Sequence, residues 1–345
     1  MKRDDTLDML RGIGLLCIML AHVGPPAFLF QLRNFDVPLM VLVAGSSFAM
    51  STANGLKTGY IEYIIKRLIR LVIPTWTFLS LFFLLTLITS FIMQKTYPFP
   101  FYKIFASFFL GTGIGYVWII RVFLLISLIA PLTRFANASY IKGKWSYSIV
   151  FTVYLIYEFM VRHIPVPNQV FLKMILDKIV YMAIPYGCIF FLGTRILMLS
   201  CRQIFGLAMV SLIVCTLYAF VLNQTIGGFA PVQDYKYPPT AYYISYGLSI
   251  ALLLFWISRT PLFGLAPFKN NLAFFGRSSM WIYLWHIQVL YWFKWMGISI
   301  HFTVKYIIVA GVSAGIIFLQ TAALNQTLIF IESQKVKKLL TSLFT

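Results

Sequence analysis

Charge is scarce in this chain, and acid is scarcest of all. Only 11% of the 345 residues are charged, and 28 Lys and Arg face 9 Asp and Glu. Soluble domains carry about 25% charged residues, and one soluble core does not hide a 60% hydrophobic composition. The mean hydropathy of +0.86 leaves a polytopic membrane protein and excludes disordered, collagenous and disulfide-framework classes. Cysteine is sparse too. Cys17, Cys188, Cys201 and Cys215 lie in or beside apolar stretches, with no C-x-x-C and no His at metal-ligand spacing. They read as small core residues, and neither a disulfide nor a metal site is expected. Tandem repeats, inverted repeats and low-complexity tracts are not visible.

What is present is a succession of apolar runs. A bilayer crossing takes about 20 residues, so this length has room for about ten crossings and little else. Spans are expected at Leu7–Val23, Val37–Ala53, Ile73–Ile92, Val117–Phe135 and Trp145–Val161. Five more follow at Ile179–Leu199, Ile204–Leu222, Tyr242–Ile257, Ala273–Trp295 and Thr303–Ile331. With the N-terminus inside, twice as many Lys and Arg side with the inner segments as with the outer ones, which predicts both termini in the cytoplasm. The short run Phe101–Leu110 reads as re-entrant or interfacial. The expected fold is therefore all-α: one integral-membrane domain over 1–345, with no appended soluble domain.

The formal charge of +19 would suggest nucleic acid in a soluble protein. Here the basic residues punctuate apolar runs, so juxtamembrane anchoring against membrane lipids explains them and no nucleic-acid partner is expected. Lys2 and Arg3 before an apolar run resemble a signal peptide superficially, but Asp4, Asp5, Asp8, Arg11 and His22 argue against cleavage. Over Lys57–Val72, Ile61, Ile64, Ile65, Leu68 and Val72 recur at helical spacing, while Lys66, Arg67 and Arg70 share another side. Glu62 precedes Lys66 by four residues, the supportive orientation. This segment predicts a cytoplasmic interfacial amphipathic helix.

The first span carries the most informative pair, Arg11 and His22. Eleven steps of about 100° come within about 20° of three full turns, so both side chains leave one helix face about 16 Å apart along the axis. Ionisable groups in a membrane are costly and face a cavity or a partner. A snorkelling arginine plus a helix-tying histidine is the bland alternative; His near neutral pH is also the usual proton acceptor.

At this point a resemblance enters. Asp8-Met-Leu-Arg11-Gly12, then His22, then Phe35-Asp36-Val37-Pro38-Leu39-Met40 and Gly45 resemble the acyltransferase 3 family of membrane-bound O-acyltransferases. The family's Arg-x10-His motif falls on Arg11 and His22, and its Arg-x-x-Arg before a proline on Arg67, Arg70 and Pro74. A late Gly-x-Ser…Tyr-x-x-His pattern resembles Gly276, Ser278, Tyr283 and His286, and Tyr237-Pro238-Pro239 is similar to an element of polysaccharide-modifying members. Ala44 departs from the family's Ser before Gly45.

The resemblance implies transfer of an acyl group, commonly acetyl from acetyl-CoA as co-substrate with no permanently bound cofactor, to a sugar hydroxyl of a cell-surface glycan. It also implies the bacterial cytoplasmic membrane. Lys66, Arg67 and Arg70, with Arg11, are the expected donor-binding residues, since guanidinium forks suit phosphate; positive-inside anchoring explains the same charges without substrate. The distance from Arg11 to His22 is comparable to an extended pantetheine arm. His22 is the candidate base. Asp36 could fix its tautomer, as a carboxylate does in hydrolytic triads, or simply complement a helix N-terminus. His286, with Tyr283 one turn before it, is a second candidate catalytic histidine or a structural one. Arg121 and Glu158 either pair with each other or line an acceptor pocket with Tyr283. The competing reading is a transporter or flippase for a lipid-linked glycan, since intramembrane Arg and His also mark transport pathways. A non-catalytic scaffold would leave the register of Arg11 and His22 unexplained.

Overall fold

The computed structural model describes residues 4–53, 59–111, 113–138, 144–165, 168–264 and 268–345. Its helices are α1 (Asp5–His22), α2 (Ala27–Leu32), α3 (Asp36–Ser51), α4 (Tyr60–Ile92), α5 (Phe101–Phe108), α6 (Trp118–Ala138), α7 (Lys144–His163) and α8 (Val170–Ile175). After these come α9 (Tyr181–Ile196), α10 (Cys201–Ile226), α11 (Ala241–Ser258), α12 (Pro261–Gly264), α13 (Lys269–Arg277), α14 (Ser279–Met296), α15 (Phe302–Ile329) and α16 (Gln334–Phe344). No strand occurs among the described residues. The all-α expectation holds, and Lys2, Arg3 and Lys57 lie outside the described residues.

Local chemistry sets the ends. The Asp4 carboxylate caps α1, accepting from the Thr6 and Leu7 amides at 2.8 and 3.4 Å, and the helix stops before Gly24, at φ +76°, and two prolines. Ser200 and Gln203 form a capping box at the start of α10, which ends on left-handed Gly227. Along α4, Thr75, Thr86, Thr89 and Ser90 return their hydroxyls to the carbonyl four residues back. That satisfies them internally where no water is at hand.

Among the described residues, six helical segments are long and apolar enough to cross a membrane: Ala27–Ser51, Tyr60–Ile92, Val170–Ile196, Cys201–Ile226, Ala241–Ser258 and Phe302–Ile329. Each of the ten expected spans falls on a helix, with two corrections. The segment before Ile73 is not a separate interfacial helix; it is the first third of the 33-residue α4, which runs through Pro74. The expected span Ala273–Trp295 breaks at Ser278 into α13 and α14. Helix α5 has eight residues, about 12 Å, too short for the roughly 30 Å hydrocarbon layer. Helix α5 alone therefore does not make a full span of Phe101–Leu110.

The chain forms two compact units, Met1–Lys57 with Leu125–Arg277, and Thr58–Leu124 with Ser278–Thr345. In the first, glycine pairs let backbones touch. A Cβ on Gly12 would lie 2.1 Å from the Leu272 carbonyl oxygen, and one on Gly276 would lie 1.8 Å from that of Asp8. The α3–α9 crossing repeats the device, with Gly45 against Phe190 and Gly193 against Leu42, both at 2.2 Å. Small residues permit such approach where lipid offers no hydrophobic drive. The second unit packs instead on rings: Phe82 meets Phe83, Phe99 and Tyr291, and Phe78 meets Trp285 edge-on. Apolar side chains cover the outward faces, among them Leu87 and Phe91 on α4, Ile213 and Phe220 on α10, and Phe318 and Leu319 on α15. Lipid is the solvent that tolerates them.

Candidate functional site

Helix α1 carries a charged knot at its first turns. Arg11 pairs through Nη1 with the buried carboxylate of Asp8 at 2.8 Å and donates through Nη2 to the Ser47 hydroxyl of α3, also at 2.8 Å. Arg277, the last residue of α13, lies 2.6 Å from Asp5 and 3.7 Å from Asp8. The close glycine contact between α1 and α13 sets this distance. Arg11 keeps 22% of its side chain accessible, so it is braced on two sides without being sealed. His22 closes the other end of α1 and is half-buried.

Between His22 and α3 the chain doubles back. Gly24 and the two prolines turn it, α2 descends, and a single 3-10 turn, Arg33–Phe35, leads into α3. A Cβ added at Gly14 would stand 3.4 Å from the Asp36 carbonyl oxygen, and Gly14 lies about 12 Å towards the Arg11 end of α1 from His22. The Asp36 carboxylate is buried, and its oxygens are spent locally. Oδ2 takes Arg33 Nη1 at 2.9 Å, while Oδ1 accepts the Val37 amide at 2.7 Å and faces Lys236 Nζ at 3.6 Å. Arg33 Nη2 donates to Gln233 Oε1 at 3.1 Å, and the Gln233 amide donates to Gln31 Oε1 at 3.0 Å. The connection between α10 and α11 is thereby sewn to the turn before α3. Burial holds the Lys236 ammonium down at about 8, with Asp36 opposing that shift, and burial likewise raises the Tyr237 phenol.

Glu158 takes Arg162, one turn on, as its ion-pair partner at 2.6 Å, and its other oxygen accepts the Ala241 amide at 2.9 Å. It caps α11, a structural use that the pairing expected with Arg121 did not foresee. Arg121 belongs to the second unit, where its Nη1 donates to the Leu110 carbonyl at 2.8 Å in the glycine-rich turn after α5.

In that second unit the Tyr283 hydroxyl donates to the Tyr116 carbonyl at 2.5 Å, pinning the same turn. His286 is fully buried with Nδ1 against the Tyr283 carbonyl, so Nδ1 carries the proton and Nε2 is its basic nitrogen. The Tyr116 ring meets it edge-on at 6.3 Å. On α4, Lys66 pairs with Glu62 at 2.5 Å, and the Arg67 guanidinium lies 5.3 Å over the Tyr63 ring. Among the described residues neither Arg67 nor Arg70 has an ion pair. Two guanidiniums three residues apart on a helix repel each other, and an anion relieves that.

Sequence reasoning singled out Arg11, His22 and Asp36 but missed Ser47, Arg33, Lys236 and Arg277. Ser47 lies three residues past Ala44, one turn from where a serine was sought. Lys236 directly precedes the Tyr237-Pro238-Pro239 element, which was the available signal. No group of His, Cys, Asp and Glu that could hold a metal occurs among the described residues.

An all-helical chain with apolar outer faces and ion clusters buried at its helix ends defines a membrane protein with polar chemistry inside. The acyltransferase 3 family model, described as an acyltransferase domain, matches residues 4–322. The chain belongs to that family, and so is a membrane acyltransferase. No curated protein and no solved structure matches it.

Proposed function

We propose that this protein transfers an acyl group, acetyl first among them, from cytoplasmic acyl-CoA to a sugar hydroxyl of a cell-surface or lipid-linked glycan in a bacterial cytoplasmic membrane. The observation that carries the reading is the polarity of α1. A braced, partly accessible arginine stands at one end and a partly accessible histidine at the other, on one face about 16 Å apart. With ten spans and both termini inside, the donor-binding candidates are cytoplasmic, Arg11 in the first unit and Lys66, Arg67 and Arg70 in the second, and the pantetheine arm of a donor held at Arg11 reaches towards His22.

His22 accepts the hydroxyl proton as the sugar oxygen attacks the thioester carbonyl. The carbon–sulfur bond breaks, and the CoA thiolate leaves and is protonated. Asp36 acts on this site through the charges it gathers, and His286, with Nε2 basic, is the second base candidate. The acceptor-binding candidates are, in the first unit, Glu158, which holds the start of α11, and, in the second, Arg121 and Tyr283, which hold the turn after α5. Mass spectrometry of surface glycans with and without the gene tests the reading. An acetyl that vanishes supports it, whereas accumulation of an unmodified, untransported glycan intermediate would make the protein a flippase.

A further inference from the structure

Within the first unit, α10 packs against α11 and α7 against α9, and a cavity of about 520 Å³ lies between them, lined from all four helices. Its two sides differ. The floor, with Ile189 of α9 and Ile244 of α11, is buried, whereas on the rim Phe151 of α7 is 63% exposed and Val210 of α10 is 58% exposed. The cavity therefore opens sideways, between α7 and α10. The outward side chains beside that mouth are apolar, among them Ile156, Phe159, Ile213 and Leu217, so hydrocarbon and not water meets it. Its volume is that of a ligand pocket, about 300–1,000 Å³.

One end of the cavity is polar. Tyr154 and Ala241 belong to its lining, and both reach the Glu158 carboxylate, the hydroxyl at 3.5 Å and the amide at 2.9 Å. Behind that carboxylate stands Arg162, whose Nε and Nη2 both go to one Glu158 oxygen at 2.8 and 2.6 Å. The carboxylate is 9% accessible and the guanidinium 44%, so the charge this pair presents outward is positive. The guanidinium also lies 5.2 Å from the centre of the Tyr218 ring of α10, one turn on from Val214 of the lining. It thus bridges the two rim helices where the cavity ends. Beside Glu158, the Tyr157 hydroxyl donates to the Pro239 carbonyl at 2.9 Å and ties the Tyr237-Pro238-Pro239 element to α7.

We propose that the groove between α7 and α10 seats the hydrocarbon chain of a lipid-linked acceptor, with Arg162 on the phosphate at the head of that chain. The word acceptor rests on the acyl-transfer reading; the groove does not. Three features select this occupant. The sideways mouth admits what the bilayer carries, so the ligand enters as an apolar chain. The polar end offers a guanidinium fork, which suits phosphate oxygens. That cation follows directly on Tyr154 and Ala241, so the fitting amphiphile has its phosphate joined to the chain itself, as a prenyl phosphate has, and not through a glycerol. In the proposed topology this end faces outward, the side on which His22 ends α1, and a glycan borne on that phosphate is delivered there.

The test is photolabelling of the full chain in phosphatidylcholine nanodiscs with a benzophenone-bearing prenyl phosphate, without acyl-CoA, the labelled residues being mapped by peptide mass spectrometry. Labels are expected over Ser148–Tyr154 of α7 and Val210–Val214 of α10. Farnesyl phosphate should displace them about tenfold or more better than farnesol, and phosphatidylglycerol at the same mole fraction should not displace them. Arg162→Gln should bring farnesyl phosphate down to the level of farnesol, a loss of selectivity that an arginine merely tying α7 to α10 would not produce. Should that variant fail to fold, the wild-type preference for phosphate over alcohol decides alone. Val214→Trp fills the groove and should abolish labelling at an unchanged melting temperature, and Ser148→Phe makes the same test from the opposite wall if the first does not fold. Displacement by phosphatidylglycerol as readily as by farnesyl phosphate would reduce the groove to a berth for bulk lipid and overturn the proposal, as would labels scattered over every outward face. Acyl transfer to a lipid-linked glycan that Val214→Trp leaves unchanged would also sink it while the acyltransferase reading stands. Specific labelling of a protein that transfers no acyl group would do the converse.

Discussion

Arg11 spans the seam between two helices, donating to Ser47 of α3 at 2.8 Å while it pairs with Asp8 of its own helix at the same distance. A snorkelling arginine would extend along the helix towards water; this one is braced from two directions, which fixes where its charge points. The carboxylate beneath it is buried and also meets Arg277. The knot therefore couples the first turns of α1, the C-terminal part of α3 and the end of α13.

That coupling depends on backbones in contact. Gly276→Ala and Gly12→Ala drive a methyl into carbonyl oxygens at 1.8 and 2.1 Å, atoms that do not move aside. Each should cost about 1–3 kcal/mol, read as a lower melting temperature of the detergent-solubilised protein. Gly311→Ala and Gly315→Ala on α15, where nothing lies within 4 Å, are the matched controls and should be neutral or slightly stabilising.

Much of this fold was legible because apolar runs and their punctuation report helices directly; the caps at Asp4 and Ser200 and the stops at Gly24 and Gly227 sit where those runs begin and end. The break at Ser278 falls on a polar interruption, Gly276-Arg277-Ser278-Ser279, which the expected span crossed because the apolar run to Trp295 outweighed it. The site was half legible. Arg11 and His22 share one helix, so their register follows from helical geometry. The Arg33–Asp36–Lys236 cluster joins residues two hundred positions apart, and no local period announces such a contact.

Arg67 and Arg70 offer a test of the donor site separate from catalysis. Changing both to Gln removes two charges that have no ion pairs among the described residues, so folding and insertion should be preserved. Acyl-CoA affinity should fall, each lost charge-assisted hydrogen bond costing about 1.5–3 kcal/mol. Equilibrium binding of a non-hydrolysable acyl-CoA analogue measures it, and unchanged affinity would return these residues to membrane anchoring.

Lys236 makes stability depend on pH in a stated direction. Its folded value of about 8 lies below the 10.5 of an ordinary lysine. Between those values the folded chain has released a proton that the unfolded chain still holds, so raising the pH favours folding. The cost of burying the ammonium is full below pH 8 and fades above it. Melting temperature from pH 7.5 to 9.5 should rise relative to Lys236→Met, in which this component is absent. Parallel curves for the two proteins would contradict the shift.

The topology is open to direct labelling. With both termini cytoplasmic, Lys338→Cys on exposed α16 should react with a membrane-impermeant maleimide only after the cells are opened. Cys201, exposed at the start of α10 and also internal in this arrangement, should behave the same way. Labelling of residue 338 in intact cells would invert the proposed sidedness or change the span count, and with it the placing of His22 towards the outer face.

The catalytic assignment turns on His22, and glutamine is the informative replacement. It preserves polarity and approximate length and still hydrogen-bonds, but it cannot take a proton near neutral pH. If His22 is the base, His22→Gln should lose acyl transfer by roughly 10²–10⁴-fold with acyl-CoA binding close to that of the wild type. Arg11→Gln should show the opposite split, weakening donor binding first and also loosening the Asp8–Ser47 knot, which a lower melting temperature would report. His286→Gln separates the remaining alternative. Its Nδ1–H is committed to the Tyr283 carbonyl, so a structural role predicts a destabilised protein whose surviving folded fraction keeps its turnover. A folded His22→Gln protein with near-normal transfer, set beside a folded but inactive His286→Gln protein, would move the base from α1 to α14.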